Sequence, residues 1–98
     1  MIARNKLIAF STEHPETAAS LRHWHDVASM AAWQSPLDAV ADFTKAKSLN
    51  GERVRFEVAG GNYSMVVAFD CHRSIAFIQF IGTHVEYDRI DALTVSLF

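Results

Sequence analysis

The sequence has a single cysteine and no excess of positive charge. Cys71 is the single cysteine among 98 residues, so an internal disulfide is excluded and a reducing, cytoplasmic location is expected. Nine Lys and Arg residues stand against eleven Asp and Glu residues, which gives a net charge of −2. This balance excludes a protein that binds nucleic acid through overall charge, so any anion site must be a local patch.

Long apolar runs are missing as well. The longest one, Ile75 to Ile81, is far too short to cross a bilayer, and the N-terminal residues lack the apolar core of a signal peptide. Hydrophobic residues still make up 50% of the sequence, which is the composition of a globular protein. We therefore expect one domain over residues 1–98, in the cytoplasm and without membrane association.

The first half of the sequence has the apolar spacing of helices. A short helix is predicted over residues 5–12, and a longer one begins at Pro15, where a missing N–H is tolerated. Ser35 followed by Pro36 predicts the start of a third helix. The side chains predicted to be buried by the second and third helices are Leu21, Trp24, Ala28, Ala31, Leu37, Val40 and Ala41.

After the turn residues Asn50 and Gly51, the apolar period changes from helical to two. Strands are predicted over residues 53–58, 63–69 and 75–81, in an antiparallel meander with the second strand in the centre. The strand residues predicted to pack under the helices are Val54, Phe56, Val58, Met65, Val67, Ile78 and Phe80. The same period places Arg53, Arg55, Ser64 and Gln79 on the opposite, open face.

The segment "GTHVEYD" predicts a helix start. Thr83 and Glu86 have the spacing of a capping box, and Gly82 is expected to let the chain leave the strand. Tyr87, Ile90, Leu93 and Leu97 continue at helical spacing. The capping box does not account for His84 or Asp88.

Four arginines are the candidate anion ligands, namely Arg53, Arg55, Arg73 and Arg89. They form either a solvated face or a rim for phosphates, and the residues alone leave both interpretations open. No metal site is predicted, because His23 and His25 lie two apart on a helix and point in different directions.

Several segments resemble one known family along nearly the whole chain, in order and with matching spacing. They are "WH" (24–25), "AAWQSPLDAV" (31–40), "RVRFEVAGGNY" (53–63), "VVAFD" (66–70) and "FIGTHVEYDRIDA" (80–92). The sequence is thereby similar to the HigB toxins of bacterial type II toxin–antitoxin systems, and "GTHxEYDxID" is the most specific part of the match.

The resemblance implies the RelE-like α+β fold, with N-terminal helices packed on a small curved antiparallel sheet and a short C-terminal helix. It also implies an N-terminal strand at "MIA". The implied activity is metal-free and cofactor-free cleavage of messenger RNA on the ribosome. The implied partner is a HigA-type helix-turn-helix antitoxin, which neutralises the toxin and alone contacts operator DNA.

The implied site combines proton-transfer groups with charge stabilisers. His84, Tyr87 and Asp88 remain as candidate catalytic residues, and the four arginines are expected to contact phosphates. Ser64 and Gln79 occupy positions where the family usually has Arg, and Arg or Lys, respectively. Two functions are consequently expected: a ribosome-dependent endoribonuclease attenuated by these two residues, or a catalytically silent relative that binds antitoxin and modulates operon repression.

Overall fold

A computed structural model describes residues 4–31, 33, 35–43, 45–50, 52–70 and 75–96. The helices among these residues are α1 (Arg4–Glu13), α2 (Ala18–Met30), α3 (Pro36–Asp42) and α4 (His84–Tyr87). The strands are β1 (Lys47–Ser48), β2 (Arg53–Val58), β3 (Tyr63–Asp70) and β4 (Ile75–Thr83). The α+β fold class, the helix predicted over residues 5–12 and the helix start at Pro36 are thus confirmed. The second helix begins as predicted at Pro15, but its first turn, Pro15–Thr17, is a 3-10 helix that leads into α2. None of the described helices is long and apolar enough to cross a membrane.

The sheet is an antiparallel meander in the order β1-β2-β3-β4. The central position predicted for β3 is confirmed, because β3 pairs with β2 on one side and β4 on the other. The sequence did not predict β1, whose two residues are too few to show a period. This strand forms because the Asn50 Oδ1 atom accepts hydrogen bonds from the amides of Glu52 and Arg53, which reverses the chain.

The main core lies between one face of the sheet and the helices. Leu21, Trp24 and Ala28 are buried as predicted, and the Trp24 ring meets the Phe56 ring edge to face at 5.4 Å. Ala31 is half-buried, just beyond the end of α2. From the sheet, the core receives Val54, Phe56, Val58, Tyr63, Met65, Val67, Phe69, Ala76, Ile78 and Ile81.

Helix α3 buries a different face from the predicted one. The predictions for Leu37 and Ala41 are wrong, because Leu37 is 66% exposed and Ala41 is exposed as well. Ala39 is instead fully buried, and Val40 packs against the core beside it. The small Ala39 side chain allows the short helix to lie close to β1 and β2, which spacing alone does not reveal.

A β-bulge in β4 changes which of its side chains face the main core. Val67 pairs with Ile78 and Val66 pairs with Phe80, so Gln79 has no partner of its own on β3. Phe80 is buried as predicted, but the prediction that it faces the helices is wrong, because the bulge turns it to the side of Val66. Ile81 takes the place in the main core that was predicted for Phe80.

The C-terminal helix is short. The capping box predicted for Thr83 and Glu86 is confirmed, but the helix ends at Tyr87 rather than continuing toward Leu97. The Asp91 Oδ1 atom accepts a hydrogen bond from the Leu93 amide, and this local turn competes with the helix. Predictions for "MIA", Cys71, Arg73 and Leu97 lie outside the described residues.

Gly82 lies within β4, not at its exit, and is needed because its surroundings leave no room for a side chain. A Cβ atom there would lie 2.9 Å from the Phe80 Cζ atom and 3.1 Å from a Glu86 carboxylate oxygen. Gly60 is different, since its φ is +70° but nothing lies within 4 Å of an added Cβ.

We predict that Gly82→Ala lowers the free energy of unfolding by about 1–3 kcal/mol, as overpacking does. In a Phe80→Leu background the same substitution should cost less, because leucine has no Cζ atom. Denaturant unfolding of the two single variants and the double variant measures this coupling. Gly60→Ala is the control, and its cost should be equal in both backgrounds. Additive costs for Gly82→Ala and Phe80→Leu would contradict the steric explanation.

Candidate active site on the outer face of the sheet

The face of the sheet turned away from the main core is called the outer face. The strand register places the following residues on it: Arg53, Arg55, Glu57, Ser64, Val66, Ala68, Phe77, Phe80 and Gly82. In a bulge two neighbouring residues lie opposite one partner, so Gln79 is assigned to the outer face beside Phe80. The outer face therefore brings together the sheet residues that were candidates for charge stabilisation.

A small second core covers the middle of the outer face. Val66 is fully buried although it is not part of the main core. The ring of Tyr87 on α4 lies 6.1 Å from the Phe80 ring, and the guanidinium carbon of Arg55 lies 5.4 Å from the centre of the Tyr87 ring. Tyr87 is thus held by an aromatic contact and a cation–π contact. The outer face is less open than expected, because α4 packs on it.

Arg55 is the best-defined cation of the outer face. Its side chain is 20% exposed, and one terminal nitrogen lies 3.7 Å from a carboxylate oxygen of Glu57 on the same strand. Together with the Tyr87 ring, this ion pair fixes the direction of the guanidinium group. A rigid, forked donor group of this kind suits phosphate oxygens.

Three side chains of the outer face have buried polar atoms that find no hydrogen-bond partner within the described residues. These atoms are Arg55 Nε, Ser64 Oγ and Gln79 Oε1. Ser64 is only 1% exposed and lies opposite Gly82 on β4. Buried polar groups without partners are rare in proteins, and a role at a functional site is one explanation for them. This grouping distinguishes the outer face from the helix side, where Trp24 Nε1 is the comparable atom.

His84 and Asp88 form a solvent-exposed pair at the edge of α4. The His84 Nε2 atom lies 3.7 Å from an Asp88 carboxylate oxygen, and the two side chains are 58% and 62% exposed. The two groups form an ion pair only when the ring carries a proton. A histidine in such a position is able to exchange protons with a bound molecule.

The hydrogen bonds of the capping box fix the position of this pair. The Thr83 amide donates to Glu86 Oε1 at 2.9 Å, and the Glu86 amide donates to Thr83 Oγ1 at 3.2 Å. The His84 amide donates to the Asn62 carbonyl, which ties α4 to the turn between β2 and β3. The hydrogen bonds from Thr83 hold the pKa of the Glu86 carboxyl below its ordinary value.

The remaining arginines differ in their surroundings. Arg53 donates from Nη1 to the carbonyls of Ala92 and Val95, at 3.1 Å and 2.8 Å, so both hydrogens of this nitrogen are engaged. Arg89 is exposed next to Glu86, and Arg73 lies outside the described residues. Among the arginines that the structure describes, Arg55 is the one held by an aromatic ring and a carboxylate of the outer face.

The sequence did not point to a cluster at the end of the sheet where β3 begins, next to the capping box. The Tyr63 hydroxyl donates to a Glu16 carboxylate oxygen at 3.1 Å and lies 3.4 Å from His14 Nδ1. His14 in turn stacks on Phe10 with ring centres 4.4 Å apart. Burial and then the hydrogen bond to Glu16 raise the pKa of Tyr63. His14 and Tyr63 are 49 positions apart, so no local pattern could reveal their contact.

The outer face combines an oriented guanidinium with an exposed histidine at its rim, an arrangement suited to a phosphate group that must gain or lose a proton. Within the described residues, no three His, Cys, Asp or Glu side chains come together as a metal site.

Comparison with known protein families gives a match. A family model described as "HigB_toxin, RelE-like toxic component of a toxin-antitoxin system" matches residues 17–90. This range includes α2, α3, all four strands and α4. No protein of known, curated function matches the chain.

We predict that Glu86→Gln reduces stability at neutral pH and that the difference from the unmodified protein disappears in acid. The folded pKa of Glu86 is lowered, so its contribution is complete above the ordinary carboxyl pKa and is lost as the pH falls through the folded value. The measurement is the free energy of unfolding of both proteins between pH 7 and pH 3.

The N-cap side of the capping box provides the controls. Thr83→Ala should cost about 1 kcal/mol because it removes the hydroxyl acceptor, whereas Thr83→Ser should cost little. An equal effect of Glu86→Gln at pH 7 and pH 3 would contradict the role assigned to the ionised carboxylate.

Proposed function

Because this chain belongs to the HigB family of RelE-like toxins, we propose that it cleaves messenger RNA on the ribosome and so inhibits translation. The observation that carries the proposal is the family match over residues 17–90. The geometry of the outer face supports it, since an oriented Arg55 lies beside unpartnered polar atoms and an exposed His84 stands at the rim.

The proposed reaction is a metal-independent transesterification. The RNA 2'-oxygen forms a bond to the adjacent phosphorus while the bond from phosphorus to the 5'-oxygen breaks. One proton leaves the 2'-hydroxyl and another reaches the 5'-oxygen, so the site needs a general base and a general acid. His84 is proposed for one of these proton transfers, with Asp88 stabilising its protonated ring.

Arg55 is proposed to stabilise the negative charge that builds on the phosphate oxygens. Tyr87 holds the Arg55 guanidinium by its ring and is also proposed to contact the reacting nucleotide through its hydroxyl. Ser64 and Gln79 are proposed to lie beneath the same phosphate, since their buried polar atoms are part of the outer face. Arg53, Arg73 and Arg89 are proposed to contact flanking phosphates of the RNA.

Ser64 and Gln79 are expected to attenuate the activity. A neutral side chain stabilises an anionic transition state less than a cation does, and loss of one preorganised donor costs on the order of 10²–10³ in rate at oxyanion sites. The net charge of −2 is also expected to weaken the affinity for RNA, because binding to RNA is largely electrostatic.

The proposed partner is a HigA-type helix-turn-helix antitoxin, in keeping with membership of a toxin–antitoxin family. The antitoxin would neutralise the toxin in the cytoplasm, and contact with operator DNA would occur through the antitoxin alone. The messenger RNA and the ribosome are the other proposed partners.

A second candidate function is that of a catalytically silent family member that binds antitoxin and modulates operon repression. The neutral side chains of Ser64 and Gln79 favour it. Both functions require antitoxin binding, but only the first requires RNA cleavage.

We predict that Ser64→Arg combined with Gln79→Lys strengthens growth arrest and ribosome-dependent RNA cleavage, because cations then stand beside the reacting phosphate. Position 64 lies opposite Gly82 on β4, within the outer face. The measurements are growth after induced expression without antitoxin and cleavage of a reporter transcript. His84→Ala in the double variant should then lower the cleavage rate by roughly 10²–10⁴.

The control adds two charges elsewhere. Met30 and Leu37 are 90% and 66% exposed on α2 and α3, so Met30→Lys with Leu37→Lys raises the net charge equally without touching the outer face.

If Arg55 already supplies the needed charge, the Ser64→Arg, Gln79→Lys variant gains little activity and Arg55→Ala inactivates the original protein. Equal cleavage by the unmodified protein and the Ser64→Arg, Gln79→Lys variant contradicts attenuation, and unchanged cleavage after His84→Ala contradicts the role of His84.

We also predict a stable complex with the product of the neighbouring open reading frame. The toxin carrying an affinity tag, co-expressed with that product, should retain it through purification at moderate salt. Loss of the partner under these conditions would count against the toxin–antitoxin function.

A further inference from the structure

Arg53 and Arg55 lie two residues apart on the same face of β2, yet their guanidinium groups are engaged differently. Arg55 has an unpartnered Nε atom and a partly exposed side chain. Arg53 is held by two backbone carbonyls, those of Ala92 and Val95. A segment near the C-terminus therefore occupies one of the two neighbouring cations of the outer face.

This segment, Asp91–Val95, is called the C-terminal turn. The amides of Thr94 and Val95 donate to the Asp91 carbonyl at 3.1 Å and 2.8 Å, and the Leu93 amide donates to Asp91 Oδ1 at 3.0 Å. These bonds compact the turn, and its carbonyls at Ala92 and Val95 meet Arg53. The Leu93 side chain is 50% exposed, so apolar burial of this side chain contributes little to holding the turn in place.

The contact between Arg53 and the turn joins a charged donor to neutral acceptors. A phosphate is a stronger acceptor for a guanidinium than a carbonyl is, and it binds in a two-pronged manner. A phosphate bound to Arg53 Nη1 would have to displace the two carbonyls. A phosphate at this position would therefore compete with the two carbonyls for Arg53 Nη1.

We infer that the C-terminal turn is an autoinhibitory strap, which occupies Arg53 in the free protein and must be released for RNA to bind the outer face fully. The inference rests on the proposed function, since it assumes that the outer face receives RNA. A protein that is competent to bind for only a fraction of the time has its affinity reduced by that fraction. The strap therefore weakens RNA binding in addition to the effect of Ser64 and Gln79.

Asp91 allows a test that leaves Arg53 intact. Asp91→Ala removes the acceptor for the Leu93 amide and loosens the turn. Asp91→Asn is the matched control, because asparagine keeps an oxygen acceptor and supports the same turn while also losing the negative charge. Any difference between these two variants reports on the turn and not on charge repulsion of RNA.

The probe is a short single-stranded RNA with 2'-O-methyl groups throughout, which cannot be cleaved because it has no free 2'-hydroxyl. Fluorescence anisotropy of the labelled probe should show Asp91→Ala binding on the order of three- to tenfold more tightly than Asp91→Asn. The slope of log affinity against log salt should become steeper by about 0.7, the value for one further phosphate contact on a single strand. Adding Arg53→Ala to Asp91→Ala should abolish both changes.

Equal affinities and equal salt slopes for Asp91→Ala and Asp91→Asn would overturn the inference, including the case in which neither binds the probe. A gain that persists without Arg53 would overturn it as well. Cleavage of unmodified RNA on ribosomes tests the proposed function separately. Asp91→Ala could bind the probe more tightly while neither this variant nor the Ser64→Arg, Gln79→Lys variant cleaves RNA. That result would support the autoinhibitory role of the C-terminal turn and contradict the endonuclease function.

Discussion

The β-bulge at Gln79 is the constraint on which the rest of the site depends. One residue without a partner on β3 puts Ile78 and Ile81 into the main core and leaves Phe80 on the outer face. Phe80 then provides the surface against which the Tyr87 ring packs. Without the bulge, strict alternation would direct Phe80 into the main core and leave Tyr87 without this support, so the bulge determines where α4 lies.

The position of α4 in turn gives two neighbouring arginines different environments. The Tyr87 ring orients Arg55 through a cation–π contact, whereas Arg53 donates hydrogen bonds to backbone carbonyls of the chain that follows α4. Alternation along β2 places both cations on one face but says nothing about what covers them. The chemistry of the outer face is consequently decided by a segment about 40 residues further along the chain, because it is this segment that supplies the partners of the cations.

Much of the fold could be predicted from local patterns. The alternation in β2, the cap at Thr83 and the buried stripe of α2 are all set by residues within a few positions of one another. The errors arose where a distant contact prevails over a local pattern. Helical spacing beyond Tyr87 predicts a longer helix, but Asp91 and Arg53 hold that part of the chain in a turn. Leu37 fits a helical stripe, yet the small Ala39 packs more closely on the sheet.

The sequence by itself determined the α+β class, the antiparallel meander, the capping box and the resemblance to the family whose model matches residues 17–90. It also placed Ser64, Gln79, Arg53 and Arg55 on one face, because side chains alternate along a strand and counting residues gives their side. Tertiary structure alone decided that Ser64 is buried, that Arg55 is oriented by Tyr87 and that Arg53 is occupied by backbone carbonyls. The reason is physical: burial and hydrogen-bond partners depend on which distant segments meet, and no local period encodes that.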